Sequence, residues 1–399
     1  MKSIYFDVNI PKILATKVFA PVFPPVYFSP LSPVRYGEIP DQELPGPNWV
    51  RVKNILAGIC GTDLAMFYVK ASPGISLAAL PGVPRVFMGH EIAGTVAETG
   101  SGVNDLKTGE RVTLQRYLPC CSIKGIEPPC GPCAEGDYNL CENFSEGAMP
   151  GNCGAGFGDH CMVHRSQLVK VPDTMSDEEA VLIEPVAVSL HAVLRRPPKD
   201  GEKVLVLGGG TIGLNVIQFA KLINSRCTVY LLEKIAFKKE LGKKLGADYI
   251  LEGDPYEAIA KATGGKLYRG PLGNSTMLGG FDLVYDCVGY SRTIHDSLRW
   301  IKAKGDYVMI GNQLEPVTFD QTPVWQQELR IIGVNAHGME NYQGERGSSF
   351  ALAMKMMEEK KINLDGFVTH RFPLAEYRKA FKLFKEKSDR VIKVVFEIC

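Results

Sequence analysis

The chain has 399 residues, 45 basic against 44 acidic, a net charge of +1 and a hydrophobic content of 45%. This balance fits a globular protein with a sizeable core and leaves no charge excess that would mark a nucleic-acid or membrane partner. No apolar run reaches the ~18–20 residues of a membrane span, and the opening residues lack the basic and apolar segments of a signal peptide; a cytoplasmic protein is expected.

Residues 1–50 are rich in proline (Pro21, Pro24, Pro25, Pro30, Pro33), which disfavours helices and predicts short strands joined by turns. Trp49–Leu56 alternates with period two, and Ile92–Glu98 resembles it. Glycine and proline interrupt the chain up to Pro172, so the first 185 or so residues read as mainly β, a small irregular barrel. After Glu184 the character changes. Val186–Leu194 reads as a helix, and Lys203–Leu207 is a continuous apolar run suited to a parallel strand covered on both faces. Gly208–Gly213 leads from it into a helix ending near Asn224. Cys227–Leu232, Phe281–Asp286 and Asp306–Ile310 are further buried strands. Strand and helix alternate over 187–337, which predicts a doubly wound α/β domain. Residues 264–280 read as an extended surface loop within it. The tail, 338–399, holds helices at Ser348–Glu359 and near Ala375–Lys385 and a strand at Val391–Ile398. It is expected to fold back onto the first domain, 1–186.

Three patterns carry chemistry. Gly208, Gly210 and Gly213 fit the spacing G-x-G-x-x-G between a strand and a helix. That spacing permits a tight turn, close approach of a pyrophosphate and packing of helix on strand, with phosphates at the helix N-terminus. A glycine turn without ligand is the alternative, and the strand–helix context argues against it. Glu233, at the end of the next strand, would bind ribose hydroxyls and repel a 2′-phosphate, favouring NAD over NADP. Lys234 and Lys238 nearby soften that preference.

Eleven cysteines is a high count, and Cys120, Cys121, Cys130, Cys133 and Cys141 cluster. Without a secretory signal such a cluster reads as a metal site. Cys130, Cys133 and Cys141 supply three thiolates, with Cys121 or Cys120 as the fourth. Four thiolates close a tetrahedral structural zinc site. Cys60 and His90 are the third pattern, half of a zinc site with carboxylates beside them. Glu91 and Glu184 are the candidates for a further ligand. Asp63 would hydrogen-bond the free nitrogen of His90, and Thr62 would take a proton from a bound alcohol. Glu184, where the β-rich region hands over to the α/β region, is expected at the domain cleft.

These residues together resemble the zinc-containing medium-chain dehydrogenase/reductase family, the alcohol, sorbitol and threonine dehydrogenases. The matching stretches run from Gly58–Asp63 and Gly89-His90-Glu91 through the cysteine loop, Glu184–Val193 and Gly208–Gly213 to Phe281–Gly289 and Val368–Pro373. The resemblance implies a GroES-like barrel domain, split in sequence, plus a Rossmann domain. It implies Cys60, His90 and Glu184 as catalytic-zinc ligands, with Glu91 as neighbour or exchanging ligand. Thr62 matches the hydroxyl of the proton relay. Thr211, Ile212, Val288 and Gly289 match cofactor contacts. The activity implied is hydride transfer between a small alcohol, or its carbonyl, and NAD. A homodimer or homotetramer is implied through the edge strand around Leu329–Val334.

There are departures from the family pattern. Ala65 stands where threonine dehydrogenases carry a relay histidine, which counts against threonine or another amino alcohol as substrate. Glu127 stands where the first structural cysteine is usual, and the 264–280 loop is long. A zinc-independent quinone or enoyl reductase and a non-catalytic NAD-binding protein are the competing classes; the intact ligand set argues against both. The loops around 65–88 and 112–120 would build the substrate pocket, and they follow no transferable code.

Overall fold

In the computed structural model, which describes residues 1–71, 83–147, 150–271, 274–311, 313–385 and 390–398, the strand Trp49–Gly58 is the spine of one sheet. Its inward residues, among them Val50, Val52 and Ala57, are fully buried. Along the sheet the order is Val368–Pro373, Lys393–Glu397, Trp49–Gly58, Glu91–Thr99, Arg111–Leu114 and Leu168–Lys170, with His160–His164 also paired to Trp49–Gly58. A second, three-stranded sheet holds Val34–Glu38, Lys2–Asp7 and Arg85–Phe87. Both belong to a unit made of residues 1–184 and 365–399. Of the tail 338–399, residues 365–399 group with the β-rich part of the chain and 338–364 with the other unit.

Residues 185–364 form the other unit. Its sheet has six parallel strands in the order Tyr249–Leu251, Thr228–Leu232, Lys203–Leu207, Phe281–Asp286, Ile301–Met309 and Arg330–Gly333. Numbered from Lys203–Leu207, that is the doubly wound order of a dinucleotide-binding fold. The strand–helix alternation that marked 187–337 in the sequence ends with this sheet, and the contacts of the unit continue to Leu364.

Three local expectations differ from what is observed. The proline-rich start contains an α-helix, Ile10–Phe19. Pro11 sits in its first turn, where no N–H is needed, and the Asn9 side chain caps it by accepting from Lys12 N at 3.1 Å. The helix expected from Val186 begins at Asp177 and runs to Arg195 with Pro185 inside it. Its start is a capping box: Ser176 Oγ accepts from Glu179 N at 3.1 Å, and the Glu179 carboxylate accepts from Ser176 N at 2.8 Å. Finally, 264–280 is a hairpin, with Lys266–Arg269 antiparallel to Ser275–Leu278; residues 272–273 lie outside the described residues. So do residues 72–82 of the expected pocket loop.

The Rossmann-type sheet is clamped at its edge by charge. Asp306 is 1% exposed and accepts from Arg196 Nε at 2.6 Å and Arg330 Nε at 2.5 Å, and Arg196 also holds Glu202. Removing Asp306 leaves the buried Arg196 guanidinium with Glu202 as its remaining carboxylate, while Arg330 stays in solvent. Asp306→Ala should lower the stability of the protein to urea by about 3–5 kcal/mol, read as a shift in the unfolding midpoint of the transition that includes this unit.

Candidate metal centres and dinucleotide turn

Strand register assembles the first site. Gly58 pairs with Glu91 on one side and with Val395 on the other. Cys60 follows Gly58 by two residues, His90 immediately precedes Glu91, and Lys393 lies two residues before Val395. One ligand-capable atom each from Cys60, His90 and Glu91 fall within 4.8 Å of one another. The Lys393 ammonium donates to both Glu91 oxygens, at 2.8 and 2.7 Å, and to the Ile59 carbonyl at 3.2 Å. Lys393 and Glu91 are almost wholly buried.

Asp63 fixes the loop backbones. Its carboxylate accepts from Cys60 N at 2.9 Å and from Gly89 N at 3.1 Å. The expected bond to the free nitrogen of His90 does not form. A carboxylate three residues into a helix bonds the helix start more readily than a ring in a separate loop. It thus orients both ligand-bearing segments through the main chain. The His90 ring instead stacks on Tyr117, with centroids 4.3 Å apart. Thr62 stands in the first turn of the helix Gly61–Phe67, partly exposed.

The electrostatics of this cluster call for a cation. Burial, with Glu91 close by, pushes the Cys60 thiol up to about 11, against the pull of Lys393. Burial pushes Glu184 up to about 8, opposed by His90 and reinforced by Glu91 and Cys60. Burial likewise raises Asp63, and it raises the Tyr117 phenol with help from Glu184. Anionic donors crowded in a dry site are disfavoured until a positive charge joins them. A thiol, an imidazole and carboxylates are the donor types that zinc takes, so the residues fit that ion. Glu184 is buried and couples electrostatically to Cys60, His90 and Glu91.

The second centre is all sulfur. Cys121, Cys130, Cys133 and Cys141 bring their Sγ atoms within 4.8 Å of one another. Cys120, the other candidate for the fourth position, is buried with its thiol 3.6 Å from Ser122 Oγ. Main-chain geometry prepares thiolates here. Cys130 N donates to Cys121 Sγ at 3.5 Å and Asn143 Nδ2 donates at 3.3 Å, and these bonds lower the Cys121 thiol. A backbone bond from Cys133 helps draw Cys130 down to about 6, while burial raises Cys133 and Cys141. Four thiols at this spacing fit a closed tetrahedral zinc.

The third element is the glycine turn between Lys203–Leu207 and the helix Thr211–Ile223. Gly208 has φ +94°, a left-handed conformation that favours glycine. A methyl on Gly213 would meet the Gly208 carbonyl at 1.9 Å, whereas nothing lies within 4 Å of one on Gly210. The turn is packed from behind and open above Gly210, as a pyrophosphate requires. Glu233 accepts from Gly209 N at 2.7 Å and from Lys234 N and Ile235 N. A Cβ on Gly209 would also lie 3.2 Å from Lys238 Cβ. Thr211 and Ile212 open the helix. Asp286 Oδ1 accepts from Val288 N at 2.8 Å and Gly289 N at 2.9 Å, and Asp286 Oδ2 takes the Tyr307 hydroxyl at 2.7 Å.

Two stretches of the chain match known domain families. Residues 46–173 match the alcohol dehydrogenase GroES-like domain and 211–350 the zinc-binding dehydrogenase domain. Sorbitol dehydrogenase of Ovis aries is 30% identical over 347 residues, 86% of this chain and 88% of its own length. The chain belongs to the zinc-containing medium-chain dehydrogenase/reductase family. Among other members, L-idonate 5-dehydrogenase of Vitis vinifera is 29% identical, covering 88% of this chain and 89% of that one. The crystal structure of a putative zinc-binding dehydrogenase from Sinorhizobium meliloti 1021, bound to NADP, superposes with a TM-score of 0.68 at 29% identity, over 91% of this chain and 95% of that one.

In this member of the family, sequence reasoning missed Lys393 and Asp286. The signal for Lys393 was a lone cation inside the apolar run Val391–Phe396. Asp286 was visible only as the end of a strand; Val288, Gly289 and Thr293, which donate to it, follow it closely in sequence, and only the Tyr307 hydroxyl is brought to it by the fold.

Two outcomes follow. Cys121→Ser should remove one zinc per chain in elemental analysis, whereas Cys120→Ser should leave the zinc content unchanged. Lys393→Met leaves Glu91 buried without its counter-charge; in zinc-free protein it should cost about 3–5 kcal/mol of stability, measured by denaturant unfolding after chelation.

Proposed function

We propose that this protein is a zinc-dependent dehydrogenase that moves hydride between a polyol-type alcohol, or its carbonyl, and NAD. The observation that carries the reading is the convergence of ligand-capable atoms of Cys60, His90 and Glu91 within 4.8 Å of one another, with the carboxyl of the buried Glu184 raised by burial and coupled to them. In this reading Cys60, His90 and Glu184 hold the catalytic zinc. Glu91, held by both oxygens to Lys393, stays beside it as neighbour or exchanging ligand. Cys121, Cys130, Cys133 and Cys141 hold the structural one. When bound, zinc supplies a Lewis acid that lowers the pKa of an alcohol, and NAD supplies the hydride acceptor.

The remaining work falls to the chain. Asp63 keeps Cys60 and His90 in place through the Cys60 and Gly89 amides. Thr62 accepts the proton released by the substrate hydroxyl and passes it on. Tyr117, stacked on His90, limits how His90 turns and presents an aromatic wall. The open face above Gly210 takes the pyrophosphate, and Thr211, Ile212, Val288 and Gly289 border the dinucleotide. The Glu233 carboxylate favours ribose hydroxyls over a 2′-phosphate, which supports NAD; Lys238 beside it is the residue that would tolerate NADP.

Polyols are favoured over other alcohols on two grounds. Glutamate at the third ligand position resembles the polyol enzymes, and relatives bear the names sorbitol dehydrogenase and L-idonate 5-dehydrogenase. Ala65 removes the histidine that threonine dehydrogenases use. The edge strand Arg330–Gly333 supports a homodimer or homotetramer by likeness to the family.

The test is a panel of polyols, simple alcohols and threonine with NAD and with NADP, alongside zinc analysis. The expected result is NAD reduction with polyols, lost in a Cys60→Ala, His90→Ala double variant. Thr62→Ala should lower kcat by roughly 10²–10⁴-fold with NAD affinity unchanged, and Thr62→Ser should retain most activity. Full activity of the double variant would overturn the reading, and higher kcat/KM with NADP would overturn the cofactor assignment.

A further inference from the structure

The segment between the first two strands turns the usual polarity of a surface helix inside out. In Ile10–Phe19 the inner face holds Ile13 and Thr16, the latter fully buried with its hydroxyl on the Leu31 carbonyl at 3.2 Å. The outer face is apolar as well. Ile10, Leu14 and Val18 recur at helical spacing and are 58%, 57% and 69% exposed. Phe19, Val22 and Phe23 continue the ridge, with Val22 82% exposed. The whole segment precedes the residues that match the GroES-like domain. It is also firmly seated. Tyr27 packs edge-on to Tyr68 at 5.0 Å, and Phe28 lies 5.4 Å from Phe67. Six large apolar side chains exposed along one segment mark an interaction site.

Charge points to the occupant. Residues 8–37 contain Lys12, Lys17 and Arg35 and no acidic residue. Next to them lies the helix Tyr377–Lys385, which contributes four basic side chains and no acidic one. Its Lys385 Nζ stands 5.6 Å from the Tyr27 ring centroid. Asp7 pairs with Lys12 and Glu376 with Lys379, and over residues 376–390 six basic residues stand against three acidic ones. Exposed apolar residues rimmed by cations match a lipid surface with anionic headgroups: the ridge enters the acyl boundary while the rim meets the phosphates. A second copy of the chain is the poorer match, because a two-fold contact would bring like-charged rims together. Among the described residues no helix is long and apolar enough to cross a membrane. We infer that residues 10–23, with the basic helix 377–385 beside them, form a docking surface for an anionic lipid membrane.

Vesicle flotation of the full chain tests this, with phosphatidylcholine vesicles containing phosphatidylglycerol against phosphatidylcholine alone, at low and high salt. Flotation with the anionic vesicles, weakened by salt, is expected. Val18→Asp with Val22→Asp should lower the bound fraction about tenfold or more with an unchanged melting temperature, since both side chains face solvent. Lys385→Glu should lower it about fivefold or more. Wild-type protein that fails to float with anionic vesicles, or a double variant that floats as well as wild type, would overturn the inference. So would a concentration-dependent dimer that the double variant abolishes, which would assign the ridge to a second copy.

Discussion

The buried pairing of Lys393 with Glu91 is the interaction on which the candidate catalytic centre depends. Strand Trp49–Gly58 is flanked by Glu91–Thr99 and by Lys393–Glu397, and Gly58 faces a partner on each side. A slip of one residue in either pairing would turn Glu91 or Lys393 to the opposite face of the sheet. The last strand of the chain therefore supplies the ammonium that faces both oxygens of Glu91 beside Cys60 and His90. With that charge in place, the site still contains more acidic donors than cations, and it is this excess that suits it to a divalent metal.

The two clusters handle anionic ligands in different ways. In the cysteine lobe, N–H groups aim at sulfur and pull Cys121 and Cys130 towards the thiolate. That lobe is built of tight turns, so amides are plentiful. Around Cys60 burial dominates, and the thiol and Glu184 are both pushed towards neutrality. The first arrangement suits an ion that is never released. The second suits a mixed donor set whose charge balance changes when substrate oxygen and protons come and go.

In the 185–364 unit, acids rather than glycines do much of the organising. Glu233 takes up the Gly209 amide, and Asp286 gathers two amides and two hydroxyls behind the Val288–Gly289 turn. Glycine permits these turns, but the carboxylates hold them in one conformation. The N-terminal segment shows how averaged composition conceals local chemistry. A chain with a net charge of +1 still carries a ridge of exposed apolar side chains beside a run of cations. Whole-chain balance is blind to where charges sit.

Much of the architecture was legible because its physical causes are local. The strand Lys203–Leu207, the glycine turn after it and the strand Phe281–Asp286 lie where hydrophobic runs and glycine spacing put them. Cys60 and His90 stood out because thiol and imidazole beside carboxylates are few and chemically specific. The elements that differ do so for equally local reasons: the proline content of residues 1–50 hides a helix whose Pro11 occupies its first turn, and the helix expected from Val186 has a capped start before Pro185. What the sequence alone determined was the order of the elements and the chemical types at each candidate site. Only the tertiary structure decided which carboxylate pairs with Lys393, that Asp63 bonds main-chain amides rather than His90, and which cysteines cluster. Those choices depend on strand register and on distances between residues far apart in the chain, and no local pattern encodes either.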